Sequence, residues 1–381
     1  MALQLSVVGT ALAALLLAAI VALIATPVVK SLAFKIGAVD VPKDNRRMHK
    51  HPIPRMGGLA IFFGFMLSVL IFLPLNEQLR GMLLGSVIIV ILGIFDDIYA
   101  LPAKPKFLVQ ILAALVAVMA GNKVEFLSNP NIFSSNPYWE LGILSIPFSV
   151  LWIVAITNAV NLIDGLDGLA CGVSTISSMT LLVIALVVSE PQIAILMGAL
   201  AGACIGFLPY NLNPAKIFMG DTGSTFLGYI LAVVSINGLF KFAAIISFAV
   251  PFLLLGLPIF DTCFAILRRI SKGQSPMTAD RGHIHHRLID MGLTQKQAVA
   301  VLYVVSAILG LSAVVLTTNG VEKAMVVLLA FGVAGGVAAK LYLDRINGTG
   351  ESLPAPRKNR RSPRDVAGNE HFFGEEERSD K

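Results

Sequence analysis

The sequence predicts an all-α polytopic integral membrane protein of about eleven transmembrane helices, with its N-terminus outside and its C-terminus in the cytoplasm. Three observations carry this expectation. The first is composition. Of 381 residues, 56% are hydrophobic and 14% charged, and the mean hydropathy is +0.80, whereas a soluble globular chain carries about 25% charged residues. The second is a series of long apolar runs. The third is a one-sided distribution of lysine and arginine between those runs.

Apolar runs with few or no charges begin at Met1, Met56, Gly81, Phe107, Leu141, Leu169, Pro191, Thr222, Phe242, Gln297 and Ala324. About 20 apolar residues in a helix cross the ~30 Å hydrocarbon core. The first run reaches Val29, which is too long for the apolar region of a signal peptide and reads as a span. The third, Gly81 to Phe95, is short, so Asp96 and Asp97 must sit close to the interface. The longest outside loop, Lys123 to Pro147, alternates at Val124 and Phe126 and again at Ile143, Leu144 and Ile146, which predicts a short hairpin. Cys171, Cys204 and Cys263 all lie in apolar runs and imply no disulfide framework. The plan is one transmembrane unit, residues 1–343, with polar cytoplasmic loops at 31–55, 96–106, 158–168, 208–221 and 268–296. A charged tail, 344–381, is too poor in apolar residues to fold on its own and is expected to be disordered.

Orientation follows from charge. With the N-terminus outside, 25 of the 29 Lys and Arg residues fall on the inner side, leaving Arg80, Lys123, Lys241 and Lys323 outside. That is the positive-inside asymmetry. The same topology puts all thirteen Asp and all six His inside, while the outside keeps Glu77, Glu125, Glu140, Glu190 and Glu322. Any metal or proton chemistry therefore belongs to the cytoplasmic face. No internal repeat is evident, which argues against a transporter built from duplicated halves.

Four polar clusters stand out on that face. Asn158 to Gly168 (NAVNLIDGLDG) closes an apolar run with Asp164 and Asp167, and ionisable groups at membrane depth are costly and usually functional. Three residues apart, the two carboxylates share a face if the segment is helical. Asp96 and Asp97 are adjacent, so on a helix they diverge by about 100° and cannot clamp one ion together. One could ligate a metal while the other acts as a base or in support. Asp221 opens the next span within FMGDTGS, where it could simply cap a helix. Gly220, Gly223 and Phe218 beside it favour a nucleotide, since glycine admits a close backbone approach and an aromatic ring can stack on a base. Arg281 to Arg287 (RGHIHHR) gathers donors suited to phosphate oxygens, and a zinc site is the competing reading of its histidines. Together the clusters offer carboxylates for Mg²⁺, cations for a diphosphate and a platform for a base. Magnesium takes few carboxylates plus substrate phosphates, and phosphoryl transfer asks mainly for positioning and charge neutralisation.

These stretches resemble the polyprenyl-phosphate N-acetylhexosamine-1-phosphate transferases, glycosyltransferase family 4. The matching segments are Pro52–Gly58 (PIPRMGG), Asp96-Asp97, Asn158–Gly168, Phe218–Ser224 (FMGDTGS) and His283–Leu288 (HIHHRL), in the family's order. The muramyl-pentapeptide translocase branch carries His-His-His-Phe-Glu where this chain has Ile284-His-His-Arg-Leu. The resemblance therefore implies the branch that moves GlcNAc-1-phosphate from UDP-GlcNAc to undecaprenyl phosphate, releasing UMP, in the inner membrane of a bacterium. It implies Asp221 and Asp96 as Mg²⁺ ligands, with Mn²⁺ as a substitute, and Asp96, Asp97, Asp164 and Asp167 as catalytic carboxylates. It implies Lys50, Lys106, Asn161, Asn211, Phe218, Arg281, His283, His285 and His286 as substrate-binding residues. Which of Asp96 and Asp97 acts as base stays open, as do the translocase branch, an ion-coupled transporter and the oligomeric state, including a homodimer. No nucleic-acid partner is expected.

Overall fold

In hydrocarbon every backbone N–H and C=O must find a partner within the protein, and the apolar runs meet that demand as helices. The computed structural model describes residues 2–42, 51–128, 138–238, 246–274 and 282–318, with scattered positions between 323 and 340. In chain order the helices are α1 (Ala2–Lys35), α2 (Gly58–Phe72), α3 (Glu77–Tyr99), α4 (Ala103–Met119), α5 (Ser145–Leu162), α6 (Leu169–Val187), α7 (Pro191–Asn211), α8 (Gly220–Gly238), α9 (Ile246–Leu254), α10 (Gly256–Ser271), α11 (Ile284–Asp290) and α12 (Gln295–Thr317). Among the described residues, α1, α3, α5, α6, α7 and α12 are long and apolar enough to cross a bilayer. The first ten apolar runs carry helices. The run from Ala324 lies largely outside the described residues, and the 344–381 tail wholly so.

Two departures from the sequence expectation have local causes. The run from Phe242 is one expected span, yet it is broken into α9 and α10 at Leu255. Pro258 has no N–H to offer the carbonyl of Leu254 four residues back, and the Ser177 hydroxyl of α6 donates to that carbonyl instead, at 2.9 Å. The outside hairpin exists, but it pairs β3 (Phe126–Ser128) with β4 (Tyr138–Glu140), antiparallel, with Leu127 opposite Trp139. Ile143, Leu144 and Ile146 belong to a 3₁₀ turn (Gly142–Leu144) and the start of α5. A second small ladder, β1 (Val39–Asp40) with β2 (Ile53–Pro54), lies between α1 and α2.

Two packing features hold the bundle. α8 is its axis: Phe226, Leu227, Tyr229, Ile230, Ala232 and Val233 are all fully buried, between α3, α5 and α2. The second is a row of small residues where α1 lies along α7. Gly198, Gly202 and Gly206, each four residues apart, face the backbone of Ala11, Leu15 and Ala19, and Ala11, Ala14, Ala18 and Ala22 of α1 are buried. Without a hydrophobic drive between helices in lipid, such close approach supplies the van der Waals contact that joins them.

A methyl group at Gly202 would overlap the Leu15 carbonyl, whereas one at Gly9 meets nothing within 4 Å. Gly202→Ala should therefore cost about 1–3 kcal/mol by overpacking and lower the melting temperature in detergent. Gly9→Ala should be neutral or slightly stabilising, since alanine is the better helix former by up to ~1 kcal/mol. Equal melting of the two variants would show that the row does not set the α1–α7 distance.

Candidate active site

The site is assembled by two motifs far apart in sequence. The backbone of Pro54 to Gly58 runs beside Phe218 and Met219: Phe218 N donates to Pro54 O at 2.9 Å, Gly57 N to Phe218 O at 2.9 Å and Gly58 N to Met219 O at 2.8 Å. Gly58 and Gly223 approach so closely that neither has room for a side chain. Gly220 has φ +71°, a left-handed turn natural to glycine, and from it α8 sets off.

The first N–H groups of a helix have no partner inside it. Asp97, in the last turn of α3, supplies one. Its Oδ1 accepts from Asp221 N at 2.9 Å, and its Oδ2 accepts from Thr222 N at 3.1 Å and Thr222 Oγ1 at 2.7 Å. Arg55 Nε stands 3.5 Å from Oδ1, and the Asp97 side chain has no exposure at all. Burial would lower the Arg55 pKa, but Asp97, Asp221 and Asp40 outweigh it and raise it. Asp96 faces the other way, as adjacent helical residues must. Its Oδ1 accepts from Leu101 N at 2.7 Å, and its Oδ2 lies 2.5 Å from Lys106 Nζ of α4. The same ammonium reaches Asp221 Oδ2 at 3.2 Å, and Asn161 Nδ2 donates to Asp221 Oδ1 at 2.9 Å. Lys106 thus joins carboxylates from α3 and α8, and of Asp96, Asp97 and Asp221 only Asp221 opens onto the adjoining cavity.

That cavity holds about 420 Å³ and is lined by Asp40, Arg55, Asn161, Asp164, Asp167, Asn211, Asn213, Phe218, Asp221, His286 and Gln295 among others. Asp164 and Asp167 come from a non-helical turn between α5 and α6 rather than from one face of a helix. Gly168, at φ +77°, ends the turn, and the Tyr303 hydroxyl of α12 donates to its carbonyl at 2.5 Å. Burial, with the Asp221 charge adding to it and Arg55 opposing, pushes the Asp164 carboxyl up to about 7. Asp167 Oδ2 accepts from Asn213 Nδ2 at 2.9 Å and Ala215 N at 3.0 Å. Asn211 is buried; its Nδ2 donates to Ile217 O at 3.1 Å, and its Oδ1 has no hydrogen-bond partner among the described residues.

The histidines divide. His286 lines the cavity, whereas His283 and His285 are buried behind it. His283 Nδ1 meets Asp261 Oδ2 of α10 at 2.9 Å, and His285 sits against Gly165. Burial, with His286 adding to it, lowers the His285 pKa to about 4. Direct contact with a ligand in the cavity is therefore open to His286 and not to the other two. Among the described residues no group of three or more His, Cys, Asp or Glu is arranged to hold a metal. Lys50 and Arg281 lie outside the described residues.

Sequence reasoning left Asp40, Asn213, Gln295 and Asp261 off the site, and marked Arg55 only as part of the Pro52–Gly58 motif. Asp261 had a usable signal, an aspartate within an apolar run. Asp40 and Gln295 had none, because only the folding of β1 and the start of α12 brings them to the cavity.

The model of glycosyl transferase family 4 matches residues 79–239. The chain is 48% identical over 295 residues to a protein of Bacillus subtilis named "probable undecaprenyl-phosphate N-acetylglucosaminyl 1-phosphate transferase", covering 77% of this chain and 81% of that one. It is 36% identical over 317 residues to a decaprenyl-phosphate N-acetylglucosaminephosphotransferase of Mycolicibacterium smegmatis, covering 76% and 77%. It is also 36% identical over 240 residues to a phospho-N-acetylmuramoyl-pentapeptide-transferase of Staphylococcus haemolyticus, covering 59% and 74%.

The geometry separates two aspartates by what each loss should do. Asp97→Asn turns one acceptor oxygen into a donor facing the helix N–H groups, so it should cost about 1–3 kcal/mol of stability through unsatisfied buried groups and lower the detergent melting temperature. Asp221→Asn keeps α8 capped by Asp97 and should melt close to the wild type. Equal melting of the Asp97 variant and the wild type would show that the clasp between α3 and α8 contributes nothing to stability.

Proposed function

The chain belongs to glycosyl transferase family 4, and from that membership we propose that it transfers GlcNAc-1-phosphate from UDP-GlcNAc to undecaprenyl phosphate, giving undecaprenyl-diphospho-GlcNAc and UMP. This is the first membrane step in making a cell-surface glycan. The observation that carries the reading is the cavity itself, where Asp221, Asp164, Asp167, Arg55, Phe218 and the unpaired Asn211 oxygen meet at one end of the bundle.

In the reaction a phosphate oxygen of the lipid attacks the sugar-linked phosphorus of the donor. The bond from that phosphorus to the bridging oxygen breaks, and UMP leaves with the electron pair. Arg55 offers a fixed positive charge beside the cavity, and Lys106 bridges Asp96 and Asp221 from α4, offsetting one of their two charges. Asn211, with one acceptor unused in a buried position, suits a ring N–H of the uracil, and Phe218 offers a face to its ring. Asp97 is engaged by three donors from α8, so we assign it the positioning of Asp221 rather than contact with substrate. His286 is the histidine in reach of donor phosphates, with His283 and His285 in support behind it.

The donor set suits magnesium. The cavity presents carboxylate and amide oxygens, hard ligands of the kind Mg²⁺ and Mn²⁺ take, and few protein ligands suffice where substrate phosphates complete the shell. Asp221, which opens onto the cavity, would hold the ion, with Asp96 supporting it from behind through Lys106, and the ion supplies charge neutralisation for the diphosphate when bound. The pentapeptide donor is the second reading, favoured by the Staphylococcus haemolyticus similarity, though that match covers 59% of this chain.

Purified protein given radiolabelled UDP-GlcNAc and undecaprenyl phosphate should yield a butanol-soluble labelled lipid and UMP. Turnover of UDP-muramyl-pentapeptide alone would reject the donor, and release of UDP would make the enzyme a different kind of glycosyltransferase. Asp221→Asn should lower activity by about 10²–10³, the usual cost of losing one electrostatic stabiliser of the transition state, and added Mg²⁺ or Mn²⁺ should partly restore it.

The same reading places the cavity on the cytoplasmic side. Lys123, half-buried with its side chain 39% exposed, and the exposed Gln274 lie near opposite ends of the bundle. In a variant lacking the exposed native Cys263, a cysteine at 123 should react with an impermeant maleimide in intact cells and one at 274 should not. The opposite labelling would invert the topology.

A further inference from the structure

Asp261 is a buried carboxylate that the reaction above does not use. It lies on α10 at 3% exposure, and both its oxygens are committed to the histidine segment: Oδ2 to His283 Nδ1 at 2.9 Å and Oδ1 to Ile284 N at 2.7 Å. Seven residues further along α10, Arg268 Nη1 donates to Gly282 O at 2.7 Å. Two side chains of one helix therefore grip three consecutive residues, 282 to 284. The opposite flank of α10 exposes Phe260, Phe264, Leu267 and Ile270, an apolar stripe suited to lipid. Asp261 points inward from it.

An ionised carboxylate only accepts hydrogen bonds, so this pairing fixes the proton of His283 on Nδ1 and fixes the plane of its ring. The ring passes that constraint on. His283 and His285 lie with centroids 5.7 Å apart and planes 11° apart, and His285 and His286 lie at 4.3 Å. His285 also fills the space that a side chain at Gly165 would need. Gly165 and His286 both line the cavity. A continuous file of rings thus runs from Asp261 to the cavity wall.

We infer that Asp261 is a positioning residue for this site, holding His283 so that the histidine stack places His286 and the turn that carries Asp164. Its activity readout rests on the transferase reading; its chemical readout does not. Asp261→Asn should lower kcat/KM for UDP-GlcNAc by about 10–100-fold, the range for carboxylates that orient a functional histidine from behind. In a double-mutant cycle, adding it to His286→Ala should cost clearly less than it does in the wild type, because the stack then has only the Asp164 turn left to place. Losses that multiply, or wild-type turnover in Asp261→Asn, would overturn the inference.

Should Asp261→Asn fail to fold, His283→Asn serves the same cycle. It keeps a side-chain donor for Asp261 but removes the ring, so it too should be impaired and non-additive with His286→Ala. Full activity there would show that Asp261 merely anchors the segment. Independently, diethyl pyrocarbonate should modify His286 of the wild type faster than His283 or His285, and Asp261→Asn should bring His285 to a rate near that of His286. An unchanged modification pattern would count against the stack. That map does not depend on the donor, so a wild type that ignores UDP-GlcNAc would defeat the proposed function while this test still reads.

Discussion

The clasp between Asp97 and the start of α8 is the interaction on which the site depends. A buried carboxylate in an apolar bundle is tolerated only when its hydrogen-bonding capacity is met. Asp97 meets it with the orphan donors that α8 must present in any case. One feature satisfies two otherwise costly requirements. It also fixes the register between α3 and α8, so that Asp221 stands within reach of Lys106 and Asn161. The same adjacency turns Asp96 to the opposite side, where it closes the end of α3 and binds Lys106. Two neighbouring aspartates therefore have different duties for a purely helical reason.

Around that clasp the bundle is rigid at its centre and specialised at one end. α8 is buried along its length, and close packing resists small displacement. The polar turns at its N-terminal end are braced from several helices: by Tyr303 of α12 at Gly168, by the Pro54–Gly58 segment at Phe218, and by Asp261 of α10 at His283. A site that must orient a nucleotide sugar against a lipid phosphate gains from such bracing, because positioning is most of what phosphoryl transfer requires of a protein.

Much of this was legible in the chain. Hydropathy gave the helices, because the bilayer imposes the same length and backbone constraint on every span, and the placement of Lys and Arg predicts their sidedness. The motifs around Asp96, Asp164, Asp221 and His283 marked the chemistry, because polar groups at membrane depth need a reason to be there. The break between α9 and α10 was less visible. Its cause, a carbonyl freed by Pro258 and taken up by Ser177, involves a residue 81 positions away from the proline.

The sequence by itself determined the class of fold, the end of the bundle where the polar chemistry gathers and the residue types available there. Tertiary structure alone decided which of those residues share the cavity and which stand behind it. Asp97, which in sequence is one of two candidates for the base, caps the start of α8, His283 and His285 are buried while His286 faces the cavity, and Asp40 and Arg55 come from the segment between α1 and α2. The physical reason is that local pattern encodes burial and helical phase. Hydrogen-bond partners more than 100 residues apart, such as Asp97 with Thr222, exist only once the helices have packed.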